Sequence, residues 1–154
     1  MDTILSCSDS RVSPITIFNK SIGKIFEIST PGNILTENTL QYILFGVNIL
    51  KTPIVIVMGH TDCGAMKALS DYDTTKYILS DLTSIYPTYL ELKEHCSSHI
   101  CNDISSEMVY ENVKKTIQLL KTNSSIQPLI QEGKVVIIGM VYNIYTGLLD
   151  VLPN

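Results

Sequence analysis

Lys51-Thr52-Pro53-Ile54-Val55-Ile56-Val57-Met58-Gly59-His60-Thr61-Asp62-Cys63-Gly64 is the stretch on which the reading of this chain turns. Residues 54–58 are apolar on both faces, the pattern of a central strand in a parallel sheet covered on both sides. Immediately after the strand come two metal-ligand side chains, His60 and Cys63, three residues apart. That spacing suits a turn entering a helix, and Gly59 and Gly64 permit a tight entry.

Upstream, Lys51-Thr52-Pro53 stops a helix expected over residues 37–50, where Leu40, Ile43, Leu44, Val47 and Leu50 recur on one face. Residues 3–7 and 24–29 read as strands. Ser13-Pro14 reads as a helix start, with Ser as N-cap and Pro at the first helical position. Pro31-Gly32-Asn33 reads as a turn. Downstream, a short helix is expected over 63–69 and a longer one over 73–95, broken near Pro87. A helix over 107–121 has Val109, Val113, Ile117 and Leu120 on one face, and a short helix follows over 124–131. Residues 135–141 form a second fully buried strand, and Thr146-Gly147 turns into a last strand over 148–152. Strands alternating with helices predict an α/β fold: a mainly parallel sheet of four strands plus an antiparallel edge strand, with helices on both faces. The length, 154 residues, suits one domain over 1–154.

Hydrophobic residues make up 45% of the chain and charged residues only 17%, which suggests that partner subunits cover much of the surface. The net charge of -4 supplies no basic field for nucleic acid or an anionic membrane. No signal-peptide pattern opens the sequence, and no apolar run approaches the ~20 residues of a membrane span. The expected location is therefore cytoplasmic. In that setting the four cysteines read as metal ligands or free thiols rather than disulfides.

Cys7 ends the first predicted strand, in Cys7-Ser8-Asp9-Ser10-Arg11. Sites in parallel α/β sheets form at the carboxyl ends of strands, so Cys7 converges with His60 and Cys63 if the two strands are neighbours. Two thiolates and an imidazole make a zinc set that leaves a fourth position for water, the mark of a catalytic rather than a structural site. Cys7, Asp9 and Arg11 lie two apart and point the same way along an extended segment. Asp9 can orient a zinc-bound water, or bind zinc and close the site. Arg11 can hold Asp9 off the metal through a bidentate pair. Taken singly, Cys7, Cys63 and His60 read as buried thiols and a core imidazole; jointly, beside Asp9 and Arg11, they read as zinc ligands. A plain surface salt bridge is the alternative for Asp9 and Arg11. His95, Cys96, His99 and Cys101 fit no familiar zinc spacing and read as a solvated helix end. Asp62 reads first as a helix cap. Tyr86, Tyr89 and Tyr110 read as packing or interface residues.

The runs Cys7-Ser8-Asp9-Ser10-Arg11 and Gly59-His60-Thr61-Asp62-Cys63-Gly64 resemble the signature pair of the β-class carbonic anhydrases. So do Pro31-Gly32-Asn33 between them, Glu111-Asn112-Val113, and Tyr142-Asn143-Ile144 before Thr146-Gly147. The resemblance covers nearly the whole chain. It implies one Zn2+ per chain on Cys7, His60 and Cys63, an Asp9–Arg11 dyad, and a homodimer or homotetramer. The implied activity is reversible hydration of carbon dioxide to bicarbonate and a proton through zinc-bound hydroxide. Zinc lowers the pKa of bound water to about 7 in a carbonic anhydrase with three histidine ligands, and that value belongs to that enzyme. Here two thiolates neutralise the dication, which predicts a higher working pH. The alternatives are hydrolysis of carbonyl sulfide or carbon disulfide on the same scaffold, or a non-catalytic zinc-binding homologue. Two departures stand out. Only six residues precede Cys7, where the family usually has helices that pack across the dimer. Ser29 stands where the allosteric subgroup has Arg, so its additional bicarbonate site is not expected.

Overall fold

Strand β3 (Ile54–His60) is the middle strand of a five-stranded sheet in the order β2-β1-β3-β4-β5. The computed structural model describes residues 1–98, 101 and 103–153. β1 (Asp2–Cys7), β2 (Ile25–Thr30), β3 and β4 (Val136–Tyr142) are parallel, and β5 (Leu149–Val151) closes one edge antiparallel to β4. The fold is thus α/β with a mostly parallel sheet, as expected. The register pairs Thr3 with Val55 and Ser6 with Met58, and runs on from Ile54 opposite Val136 to His60 opposite Tyr142. This register brings the carboxyl ends of β1 and β3 side by side, which is what the candidate site requires.

The two faces of the sheet are covered unequally. On one, α2 (Glu37–Asn48) and α6 (Ile104–Thr122) cover Leu5, Val55, Val57, Ile137 and Val141, and α3 (Gly64–Ala68) and α5 (Leu82–Ser98) pack against α6. Thr36 and Thr39 form a reciprocal capping box at the start of α2, and Asp103 caps α6 by accepting from the Ser105 and Ser106 amides. α6 lies directly on β4 at Gly139, where a Cβ would stand 2.1 Å from Ile117 Cδ1. The opposite face bears Ile4, Ile56, Met58 and Met140 and, among the described residues, only one short helix, α1 (Pro14–Ile17). Val136 and Val151, on strands of this sheet, stay 48% and 59% exposed.

Three expectations need correction. The predicted long helix breaks over residues 76–81, between α4 (Tyr72–Thr75) and α5, and Pro87 lies inside α5. Proline removes one N–H donor there, but Leu82, Ile85, Thr88 and Tyr89 are buried on either side of it, and their packing carries the helix through. Second, Cys96 and Cys101 form a disulfide rather than standing as free thiols. Their Cα atoms lie 5.2 Å apart, within disulfide reach. Their sulfurs are therefore not metal ligands, and His99 of the same cluster lies outside the described residues. The reading of all four cysteines as metal ligands or free thiols, which followed from the expected cytoplasmic location, therefore fails for these two. Third, Asp62 does not cap a helix, as described below. Among the described residues, no helix is long and apolar enough to cross a membrane. The last helix, α7 (Gln127–Gln131), leads into β4.

Candidate functional site

Cys7 is the last residue of β1, His60 the last of β3, and Cys63 the N-cap of α3. One ligand atom from each lies within 4.8 Å of the others, and all three residues are buried. His60 Nδ1 stands 2.9 Å from the Thr61 carbonyl oxygen. A carbonyl only accepts, so Nδ1 carries the proton and Nε2 presents its lone pair. That Nε2 is buried and has no hydrogen-bond partner. A buried acceptor left unpaired costs about 1–3 kcal/mol, and a cation bound there satisfies it. The three donors therefore fit a metal ion of zinc's type, with Nδ1–H on a backbone carbonyl orienting the ring.

The electrostatics agree. The Cys7 thiol is held well below its ordinary range, first because the Cys63 thiol donates to its sulfur, then with help from the Gly32 amide, against the opposing effect of burial. Cys63 moves the opposite way, because it keeps the shared proton beside a negative sulfur and is itself buried. Two sulfurs this close compete for a proton, and a dication relieves that competition by binding both. Burial opposes the imidazolium of His60, but the Cys7 sulfur outweighs it and the net shift is upward.

Two supports of this cluster escaped the sequence reading. Gly32, in the turn Pro31–Asn33 after β2, donates its N–H to Cys7 Sγ at 3.2 Å. Its φ is +73°, and a Cβ there would lie 2.8 Å from Met66 Cε and 2.9 Å from Ala65 Cβ. Asn112 of α6, 2% exposed, donates Nδ2–H to the Gly32 carbonyl at 3.0 Å. A signal for Asn112 existed: it is a polar residue between Val109 and Val113 on the apolar face of a helix, and such a residue must find a partner.

Asp9 and Arg11 meet as the spacing suggests. Asp9 Oδ1 accepts from the Arg11 backbone N–H and from Nε, both at 2.9 Å, and Oδ2 accepts from Nη2 at 2.7 Å. These bonds hold the Asp9 carboxyl below the usual carboxylate range and raise Arg11. Asp62 does not cap α3: no side chain caps that helix, and the Asp62 carboxylate instead accepts from the Lys67 side chain and from the Tyr145 hydroxyl at 3.0 Å. Lys67 first, then Tyr145, hold Asp62 down to a pKa of about 2. The tyrosines pack as expected: Tyr86 stacks between Tyr72 and Tyr89, and the Tyr110 hydroxyl donates to Asp150.

A parallel sheet that gathers two sulfurs and one imidazole at its carboxyl edge, with a carboxylate–guanidinium pair beside them, defines an α/β protein with a candidate metal centre. The carbonic anhydrase family model matches residues 3–149, and the chain belongs to that family, in its β class. It is 29% identical over 150 residues to carbonic anhydrase 2 of Mycobacterium tuberculosis, covering 94% of this chain and 70% of the relative. Among solved structures it is similar to a Coccomyxa β-carbonic anhydrase in complex with acetazolamide. That match has a TM-score of 0.81 and 27% identity, over 98% of this chain and 71% of the other. Tetrameric β-carbonic anhydrases from Sordaria macrospora share the fold at a TM-score of 0.81 and 23% identity, over 99% of this chain and 80% of theirs. The chain is accordingly an enzyme of the carbonate dehydratase class.

Proposed function

We propose that this chain is a zinc-dependent carbonic anhydrase, that Cys7, His60 and Cys63 hold one Zn2+, and that Asp9 and Arg11 form its catalytic dyad. The observation that carries this reading is the buried Cys7–His60–Cys63 cluster with an unpartnered Nε2 aimed into it. Zinc bound there supplies a Lewis acid that makes water nucleophilic near neutral pH. The chain's own residues do the rest. Arg11 occupies both oxygens of Asp9 in a fork, which keeps the carboxylate from swinging toward the sulfurs. Oδ2 accepts only one of those bonds, so it has a lone pair left to accept a hydrogen bond from the attacking water and orient it. The depressed Asp9 pKa keeps that acceptor ionised throughout the working range. The Gly32 amide and the proton on His60 Nδ1 fix two of the three ligands before any metal arrives, which reduces reorganisation on binding.

The chain works as a homodimer or homotetramer in this reading. The sparsely covered sheet face, with Val136 and Val151 about half exposed, supports it, and the Sordaria macrospora enzymes that share the fold are tetrameric.

Stopped-flow hydration of carbon dioxide at pH about 8.5, where zinc-bound water is expected to be ionised, tests the reading on protein of quantified zinc content. Rapid turnover, inhibited by acetazolamide as its complex with the Coccomyxa enzyme suggests, is the expected result. No rate above buffer at full zinc loading overturns it, and turnover of carbonyl sulfide instead would reassign the substrate.

A further inference from the structure

We propose that Asp62 is a positioning residue for the dyad: fixed by Lys67 and Tyr145, it braces the Arg11 guanidinium from the loop that also carries His60 and Cys63. The proposal rests on the reading of Asp9 and Arg11 as the orienting pair. Its basis is how the guanidinium is shared. Nε and Nη2 form the fork to Asp9, while Nη1 reaches Asp62 Oδ2 at 3.4 Å and Nη2 reaches the Asp62 carbonyl at 3.4 Å. The group is planar and rigid, so a partner on its second edge fixes the plane in which the first edge presents Asp9.

Asp62 is well placed for this. Its φ of +60° is a left-handed conformation that few non-glycine residues adopt, and Asp is among those that tolerate it. Its loop is pinned to the end of β4, with Thr61 N–H on the Tyr142 carbonyl at 3.0 Å and Ile144 N–H on Thr61 Oγ1 at 3.1 Å. Tyr145 donates to Oδ2 from the β4–β5 connection, and Lys67 reaches Oδ1 from α3. Three segments thus converge on one carboxylate beside a ligand loop. Asp9, Arg11, Asp62 and Lys67 alternate in sign, so the string is neutral. Exposed ion pairs add little stability, and the role is therefore one of geometry: the loop that presents His60 and Cys63 also sets the orientation of Asp9.

The test compares wild type, Asp62→Asn and Tyr145→Phe, the last keeping the carboxylate and removing one of its anchors. In metal-free protein, solvent exchange of the Arg11 Nε–H is followed by NMR. In zinc-loaded protein, kcat/KM for carbon dioxide is measured. Residues supporting a metal site are typically worth 10–100-fold, and Asp62 acts one step further out, so Asp62→Asn should lower kcat/KM about 3–10-fold and speed Nε–H exchange. Tyr145→Phe should move both the same way by less. In an Arg11→Ala background, Asp62→Asn should add less than about twofold, since neighbours in one network are non-additive. Unchanged Nε–H exchange in both variants overturns the proposal, as does altered exchange with an unaltered rate. A zinc-loaded wild type that does not hydrate carbon dioxide overturns the carbonic anhydrase reading instead, and the exchange comparison still decides whether Asp62 braces Arg11.

Discussion

Gly32→Ala should destabilise the protein by far more than an alanine at an ordinary left-handed glycine. Position 32 has φ +73°, and an L-residue there costs about 1–2 kcal/mol from the backbone alone. The new methyl would also lie 2.8 Å from Met66 Cε and 2.9 Å from Ala65 Cβ. Met66 Cε is the end of a flexible side chain and can swing away. Ala65 Cβ is fixed to α3, so relief there means moving the helix, and overpacking of that kind costs about 1–3 kcal/mol. The sum is about 2–5 kcal/mol, and at ~2–4 °C per kcal/mol for a chain of this size Tm should fall by ~4–20 °C. Gly133→Ala is the control, with φ +67° and no atom within 4 Å of the added methyl, so only the backbone cost of about 1–2 kcal/mol applies. Denaturant unfolding of the metal-free proteins isolates the difference, expected at about 1–3 kcal/mol. Losses equal within ~0.5 kcal/mol would refute the reasoning, because the contact with α3 would then cost nothing.

Three further outcomes are expected. Cys7→Ser, His60→Ala and Cys63→Ser should each cut bound zinc from about one per chain to a small fraction, since a structural or catalytic site does not survive loss of one of three protein ligands; full retention by metal analysis refutes the ligand set. Asp103→Ala removes the cap that accepts from the Ser105 and Ser106 amides and should cost about 1 kcal/mol or less at neutral pH. Donation from Ser106, then Ser105, lowers the Asp103 pKa when folded. Its contribution is therefore fully present above the unfolded carboxylate value of about 3.9 and is lost as pH falls through the lower folded value. The gap between variant and wild type should close in acid, and an equal penalty at pH about 7 and about 2 would refute the linkage. Replacing both Cys96 and Cys101 by Ser opens a ring spanning five residues of separation. Loop-closure entropy puts the cost at about 2 kcal/mol, read as a Tm drop of ~4–8 °C, and a Tm within ~1 °C of wild type counts against the bond.

Where the sequence pattern is periodic, it and the structure agree closely. The apolar run 54–58 is the core of β3, and β1, β2, β4 and β5 lie within one or two residues of their expected bounds. α6 extends three residues further upstream than expected, because Asp103 caps it there rather than near Glu107. Pro87 misled, because a propensity rule describes an isolated helix while buried neighbours decide a packed one. Asp62 misled for a related reason. A carboxylate at a helix start has backbone amides on offer, but the Lys67 side chain on the same helix and Arg11 and the Tyr145 hydroxyl from distant segments take it instead.

The amino-acid sequence by itself determined the alternation of strand and helix and the three side chains with ligand chemistry. It determined equally that Asp9 and Arg11 sit close enough to pair. These depend on period, residue type and short spacing, which are local properties of the chain. Only the tertiary structure decided that β1 and β3 are neighbours, that Gly32, 25 residues from Cys7, donates to its sulfur, and that Asn112, 80 residues on, holds Gly32 in place. The same holds for Asp62 meeting Arg11 across 51 residues. Such contacts are set by strand order, helix packing and the burial of polar groups that then need partners, and no local stretch of sequence contains that information.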